Sequence, residues 1–130
     1  MWKVVLDTNI LVSAFWAKQS NPYKVVEMFF KNMIVLYYTD EIVEEYEEVL
    51  HREKFGFSKK QIKDFIQELM KNGTLSESIT SLDPFSDETD RKFYDAAMTN
   101  NALLITGNIK HYPDKPFIMT PFEFLNTFNT

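Results

Sequence analysis

A chain of 130 residues that is 45% hydrophobic and 15% aromatic has enough apolar material for one sizeable core, so we expect a single domain over residues 1–130. Its 14 basic and 19 acidic residues give a net charge of -5, which argues against a basic nucleic-acid coat protein but leaves metal-mediated phosphate binding open. With no cysteine and no run approaching the ~18 apolar residues of a membrane span, we expect a cytoplasmic protein without disulfides, thiolate metal sites or a membrane partner.

The first half of the chain alternates strand and helix patterns. The expected elements are a strand over 3–6, a helix over 21–31, a strand over 33–38, a helix from Thr39 or Asp40 to about 53, and a helix from Ser58 to about 71. The Asn72-Gly73 pair is a typical helix stop. The order is therefore β-α-β-α-α.

The second half continues the alternation with shorter strands. The expected elements are an edge strand over 74–80, a polar loop over 83–87, a helix to about 100, a buried strand over 102–106, a loop over 107–115, a strand over 117–119 and a final helix opened by Thr120-Pro121. Strands that alternate with helices indicate parallel β-α-β units. We therefore predict an α/β fold, a three-layer α/β/α sandwich with a central, mostly parallel sheet of four to five strands.

Asp7 is the first candidate functional residue, because it ends the apolar run Val4-Val5-Leu6. Open α/β sheets bind ligands at the carboxyl ends of their strands, which is where this acid is expected. An aspartate here is also a common helix cap, so both interpretations remain open.

A second candidate comes from the glutamate-rich helix that begins near Asp40. Its five glutamates are at positions 41, 44, 45, 47 and 48. At helical spacing, Glu45 and Glu47 lie on the margins of the apolar stripe, and only a marginal acid can face a cleft beside the sheet. A solvated acidic face is the alternative for any one of them.

Asp90 is a third candidate, because Phe93, Tyr94 and Ala97 follow at helical spacing and share its face. An acid in the first turn also stabilises the helix dipole, but that does not explain why it faces inward. Asp87 and Asp95 are less well placed, and we expect both to be solvated.

The strand at Leu103-Leu104-Ile105 repeats the arrangement at Asp7, because Thr106-Gly107-Asn108 follows it directly. The amide oxygen of Asn108 can hold a water or coordinate a cation weakly, but it lacks the charge of an aspartate. A tight turn beside Gly107 is the alternative role for Asn108.

Together these residues resemble the signature of the PIN-domain nucleases, in the group that includes toxin components of toxin-antitoxin pairs. The matching segments are Leu6-Asp7-Thr8-Asn9-Ile10-Leu11, Glu45-Tyr46 with Val49-Leu50, Asp90 with Lys92-Phe93 and Ala96-Ala97, Ile105-Thr106-Gly107-Asn108, and the closing Met119 to Leu125. The resemblance covers nearly the whole chain, and the order and spacing of the segments are more specific than any one of them.

The resemblance implies a metal-dependent endoribonuclease that hydrolyses single-stranded RNA with Mg²⁺ or Mn²⁺. Clustered carboxylates need such a cation, since they otherwise repel one another and the phosphodiester. Asp7 and Asp90 are then the principal metal ligands, and Glu45 is a further ligand or the base for the attacking water. Asn108 is expected to position a water or act from the outer sphere.

Other residues around this expected site have supporting roles. Asn9 and Thr106 are expected to orient the ligands, and Lys110, His111, Arg91 and Lys92 are candidate phosphate contacts. The resemblance also implies an antitoxin protein as a partner and a homodimer.

The chain departs from the family pattern at one position, because Asn108 stands where the family usually has an acid after Thr-Gly. Asp87 and Asp95 are the candidates to compensate for the lost charge. The alternative function is a catalytically weakened PIN-like module that binds RNA or a regulatory partner. A haloacid-type phosphatase or a receiver domain fits the motifs less well.

Overall fold

Five parallel strands form the sheet in the computed structural model, which describes residues 1–128. The strands are β1 (Lys3–Leu6), β2 (Val35–Tyr38), β3 (Thr74–Leu75), β4 (Leu103–Ile105) and β5 (Ile118–Met119). The helices are α1 (Thr8–Trp16), α2 (Asn21–Phe30), α3 (Asp40–Leu50), α4 (Lys59–Asn72), α5 (Arg91–Asn100) and α6 (Pro121–Phe128). The sheet order is β3-β2-β1-β4-β5, so the chain begins at the centre.

Helices cover both faces of this sheet. The chain runs from β1 outward to β3 and then crosses back to β4, and right-handed connections in opposite directions place their helices on opposite faces. Helix α5 packs against β1, β2 and β4, whereas α1 packs against α2, and α2 also contacts α6. The predicted three-layer sandwich with a parallel sheet is confirmed.

Helix starts follow the sequence signals closely. The side chains of Ser20, Thr39 and Ser58 each accept a hydrogen bond from the backbone N–H three residues later, at distances of 3.0 to 3.2 Å. Thr39, rather than Asp40, is therefore the cap of α3. No helix in residues 1–128 is both long and apolar enough to span a membrane.

Several elements are shorter than predicted, and α3 and β3 differ most from their predicted bounds. Helix α3 ends at Leu50 instead of about 53, because Arg52 is extended, and a single 3-10 turn then covers Glu53–Phe55. Strand β3 is limited to two residues. The N–H of Ser76 still donates to the carbonyl of Tyr38 in β2 at 2.8 Å, but the backbone at Ile79 and Ser81 bonds to side chains of α5 instead. The N–H of Ile79 donates to Thr99 Oγ1 at 2.9 Å. Helix α1, over Thr8–Trp16, is an element for which the sequence patterns predict no bounds.

The register of the two central strands brings their ends together. Leu6 pairs with Ile105, and the N–H of Asp7 donates to the carbonyl of Ile105 at 3.0 Å. The residues that follow β1 and β4 therefore share one edge of the sheet, where open α/β folds bind their ligands.

Candidate active site

Asp7 lies at the carboxyl end of β1 and is 7% exposed. Its Oδ2 atom accepts hydrogen bonds from the hydroxyl of Thr106 at 2.8 Å, the hydroxyl of Tyr112 at 2.9 Å and Nδ2 of Asn9 at 3.4 Å. Asp7 occupies the N-cap position of α1 but makes no side-chain capping hydrogen bond. A helix cap alone therefore does not explain this acid.

The surroundings of Asp7 have opposing effects on the pKa of its carboxyl. Burial raises the pKa of its carboxyl, the hydrogen bonds from Thr106 and Tyr112 lower it in part, and the charge of Glu45 raises it further. Burial and the Asp7 charge also raise the pKa of Tyr112 well above its usual range, so its hydroxyl stays a neutral donor. The site thus holds a buried acid with a fixed orientation.

Asp90 is the last residue of a 3-10 turn over Glu88–Asp90 and occupies the N-cap position of α5, and its side chain is 16% exposed. Its buried Oδ2 atom has no hydrogen-bond partner in residues 1–128, and Nδ1 of His111 lies 3.7 Å away. Burial, followed by the charges of Asp7 and Asp87, raises the pKa of Asp90 to about 6. This acid faces inward, as predicted, and lacks a counter-charge in hydrogen-bond contact.

Glu45 is the glutamate of α3 that turns toward these acids. It is half-buried, whereas the other four glutamates of the helix, Glu47 included, are exposed. Its Oε2 atom accepts a hydrogen bond from the Thr8 hydroxyl, and its Oε1 atom pairs with Nζ of Lys92 at 2.7 Å. Both oxygens are therefore engaged by neighbouring side chains.

The end of β4 contributes chiefly through Thr106. This buried side chain bonds Asp7 and also accepts the N–H of Asn108 at 3.0 Å, while the N–H of Gly107 donates to Oδ1 of Asn9 at 3.1 Å. The side chain of Asn108 is exposed and borders a surface groove of about 330 Å³ with His111. Asn108 lies at the rim of the site.

The two remaining aspartates have different surroundings. Asp87 accepts hydrogen bonds from the N–H and hydroxyl of Thr89, which lower its pKa, and its charge raises the pKa of Asp90. Asp95 is 4% exposed, and it accepts the N–H of Ser81 at 3.2 Å. The solvated position expected for Asp95 is wrong, because this acid holds the loop before α5; Asp87 is the one beside the site.

The acids form a loose group. No three Asp, Glu or His side chains in the described part of the chain are arranged to hold one ion. Asp7 and Asp90 nevertheless fit a hard cation, since Mg²⁺ keeps several waters and usually needs only one or two carboxylates. The unpaired, buried Oδ2 of Asp90 supports that fit. The metal-ligand roles of Asp7, Asp90 and Glu45 all stay predictions.

The sequence patterns missed two hydrogen-bond donors of the site. Tyr112 lies within the loop predicted over 107–115. It is the one tyrosine in that polar stretch, and this was the available signal for its role as a donor. Thr8 directly follows Asp7, yet its bond to Glu45 depends on how α3 packs against α1. Neither contact follows from local periodicity.

Comparison with known proteins places the chain in a family. A PIN domain model matches residues 3–110. An uncharacterized protein of Methanocaldococcus jannaschii, MJ1680, is 28% identical over 109 residues, which cover 82% of this chain and 70% of that protein. The crystal structure of VapBC2 from Rickettsia felis, bound to a DNA fragment from their promoter, superposes with a TM-score of 0.59 at 18% identity and covers 91% of this chain and 96% of that one.

PIN domains are generally nucleases. The predicted resemblance is therefore confirmed, and the chain belongs to the PIN domain family.

Proposed function

We propose that this protein is a metal-dependent endoribonuclease that hydrolyses phosphodiester bonds in single-stranded RNA, as the toxin component of a toxin-antitoxin pair. The observation that carries the proposal is the buried Oδ2 of Asp90, which has no hydrogen-bond partner in residues 1–128 and lies in the field of Asp7 and Glu45. A divalent cation would offset that repulsion. Family membership supports the nuclease class.

Asp7 and Asp90 would hold Mg²⁺ or Mn²⁺, which supplies positive charge for the phosphate and lowers the pKa of water. Thr106 and Tyr112 fix the orientation of Asp7. Glu45 accepts a proton from the attacking water. The water oxygen forms a bond to phosphorus, the bond from phosphorus to the 3′ oxygen breaks, and that oxygen takes up a proton from solvent, leaving a 5′-phosphate and a 3′-hydroxyl.

Cleavage of an end-labelled single-stranded RNA tests this proposal. The wild-type protein should cut in Mg²⁺ or Mn²⁺, and excess EDTA should abolish cutting. Equal cleavage with and without EDTA contradicts the metal requirement. RNA binding without cleavage in either metal supports the alternative, a binding module, which is favoured by the amide at position 108 and by the lack of a three-acid group in residues 1–128.

Asn108→Asp should tighten Mn²⁺ binding by about tenfold, because it adds a full negative charge next to Thr106, which holds Asp7. Isothermal titration calorimetry measures this change. Gln61→Glu, on the exposed first turn of α4, adds the same net charge and should leave the affinity unchanged. Unchanged or weaker binding in Asn108→Asp would count against a role for this position beside the metal.

Partners and location are part of the proposal. An antitoxin protein, a homodimer and a cytoplasmic location fit the toxin role. Trp16 is 61% exposed, and its ring contacts Phe55 and lies near Phe57. The end of α1 therefore offers an apolar surface to the second copy of the proposed dimer. Light scattering during size-exclusion chromatography tests the dimer, and a monomer mass at micromolar concentration contradicts it.

A further inference from the structure

Lys92 is a basic side chain built into the acidic site. It lies in the first turn of α5, two residues after Asp90, and its side chain is only 14% exposed. Its Nζ atom donates to Oε1 of Glu45 at 2.7 Å and to the carbonyl of Thr89 at 2.8 Å. Burying an ammonium costs free energy unless it is paired, so these contacts fix where the charge lies.

The same ion pair limits what Glu45 can do. One oxygen of Glu45 binds Lys92 and the other accepts the Thr8 hydroxyl, so coordination of a metal would have to displace one of them. The site therefore combines two acids suited to a cation, Asp7 and Asp90, with a third acid that holds an ammonium.

The other basic candidates are placed differently. Arg91 turns toward the loop before α5, where it donates to the carbonyls of Ser81 and Asp83 and pairs with Glu88. The side chain of His111 is 58% exposed. Of the four basic residues that the sequence suggested as phosphate contacts, Lys92 is the one paired with an acid of the site by a short, partly buried bond.

We propose that Lys92 is a further catalytic residue whose ammonium binds a non-bridging oxygen of the scissile phosphate, with Glu45 as the residue that positions it. Two of its N–H groups bind Glu45 and Thr89, and we assign the third to the phosphate. Lys92 thus supplies a fixed positive charge beside a single metal ion, without transferring a proton. This inference rests on the proposed nuclease function.

Lys92→Met separates this role from a structural one, because methionine keeps the length of the side chain and removes its charge. Cleavage of single-stranded RNA at saturating Mn²⁺ should fall at least about 100-fold, as for other groups that stabilise transition-state charge. Calorimetry should show Mn²⁺ binding about tenfold tighter, since the repelling ammonium is gone and Glu45 is freed. A substitution that only destabilised the fold would lower both the cleavage rate and the Mn²⁺ affinity. Lys63→Met, on the exposed face of α4, should change neither.

A double variant, Glu45→Gln with Lys92→Met, avoids leaving a half-buried acid unpaired. It should lose at least as much cleavage, because Glu45 is also the proposed base, but gain no Mn²⁺ affinity. Retained cleavage in Lys92→Met, or weaker Mn²⁺ binding in it, overturns the inference while the nuclease function stands. Wild-type protein that neither binds Mn²⁺ nor cleaves RNA overturns the proposed function, and the role of Lys92 falls with it.

Discussion

Asp7→Asn should reduce metal-dependent cleavage of single-stranded RNA by at least about 100-fold while the protein stays folded. Even the residues that merely orient metal ligands typically contribute 10–100-fold to metal affinity or activity, so loss of a charged ligand should cost at least as much. The amide keeps the shape of the carboxylate, and its oxygen can still accept the hydroxyls of Thr106 and Tyr112. The substitution should not lower the stability of the fold, because burial, which raises the pKa of Asp7, already disfavours the charged form of its carboxyl.

The initial rate of cleavage, measured alongside the melting temperature, tests this expectation. Asp64→Asn is the matched control, because Asp64 is an exposed acid of α4 whose ion pair with Lys60 lies at the surface. It should retain the wild-type rate. Cleavage by Asp7→Asn at the wild-type rate would exclude Asp7 as a metal ligand.

Asp90→Asn should have opposite effects on activity and on stability. Cleavage should fall at least about 100-fold, because the second of two metal ligands loses its charge. In the presence of a chelator, however, the variant should be more stable than the wild type at pH 7.5. The carboxylate of Asp90 is partly buried without a hydrogen bond to Oδ2 from residues 1–128, and its replacement removes that penalty.

The dependence on pH follows from the raised pKa of Asp90. The folded protein holds this proton up to about pH 6, whereas the unfolded chain releases it near the ordinary value of 3.8. Between these values the folded state binds more protons, so the stabilising effect of protonation is complete below about pH 4 and is lost as pH rises through 6. The stability difference between Asp90→Asn and wild type should grow over that window.

Thermal unfolding in EDTA between pH 4 and 7.5 measures this difference. At pH 7.5 the melting temperature of Asp90→Asn should exceed that of the wild type by roughly 3–5 °C, or about 1 kcal/mol, which allows for screening by solvent. Saturating Mn²⁺ should reverse the order, since a ligand that binds only the folded wild type stabilises it. A variant less stable than wild type in EDTA at every pH would contradict this picture of Asp90.

Much of the fold was predictable because its signals are local. Apolar runs such as Val4 to Leu6 mark buried parallel strands, and the caps Thr39 and Ser58 begin α3 and α4 as predicted. The edge strand β3 was overestimated because its extent depends on competition from α5 for the backbone of residues 79–81. That competition is a tertiary effect, which a short window of sequence does not contain.

The same distinction applies to the candidate site. Helical spacing predicts that Asp90 faces inward and that Glu45, like Glu47, lies on the margin of its apolar stripe. The position of Asp7 at the edge of the sheet follows from strand polarity. The pairing of Glu45 with Lys92 joins residues 47 positions apart, and that of Tyr112 with Asp7 spans 105. Such contacts depend on the order of strands and on helix packing, so the sequence suggested which residues were present but not which pairs would form.

Anomalous diffraction from crystals of the wild-type protein soaked in Mn²⁺ tests most directly the claim that Asp7 and Asp90 hold the catalytic cation. The expected result is one Mn²⁺ peak with a carboxylate oxygen of each residue within about 2.6 Å, and with Lys92 still paired to Glu45. The peak should vanish in Asp90→Asn crystals soaked in the same way. A peak at other residues, or none at saturating Mn²⁺, would contradict the claim.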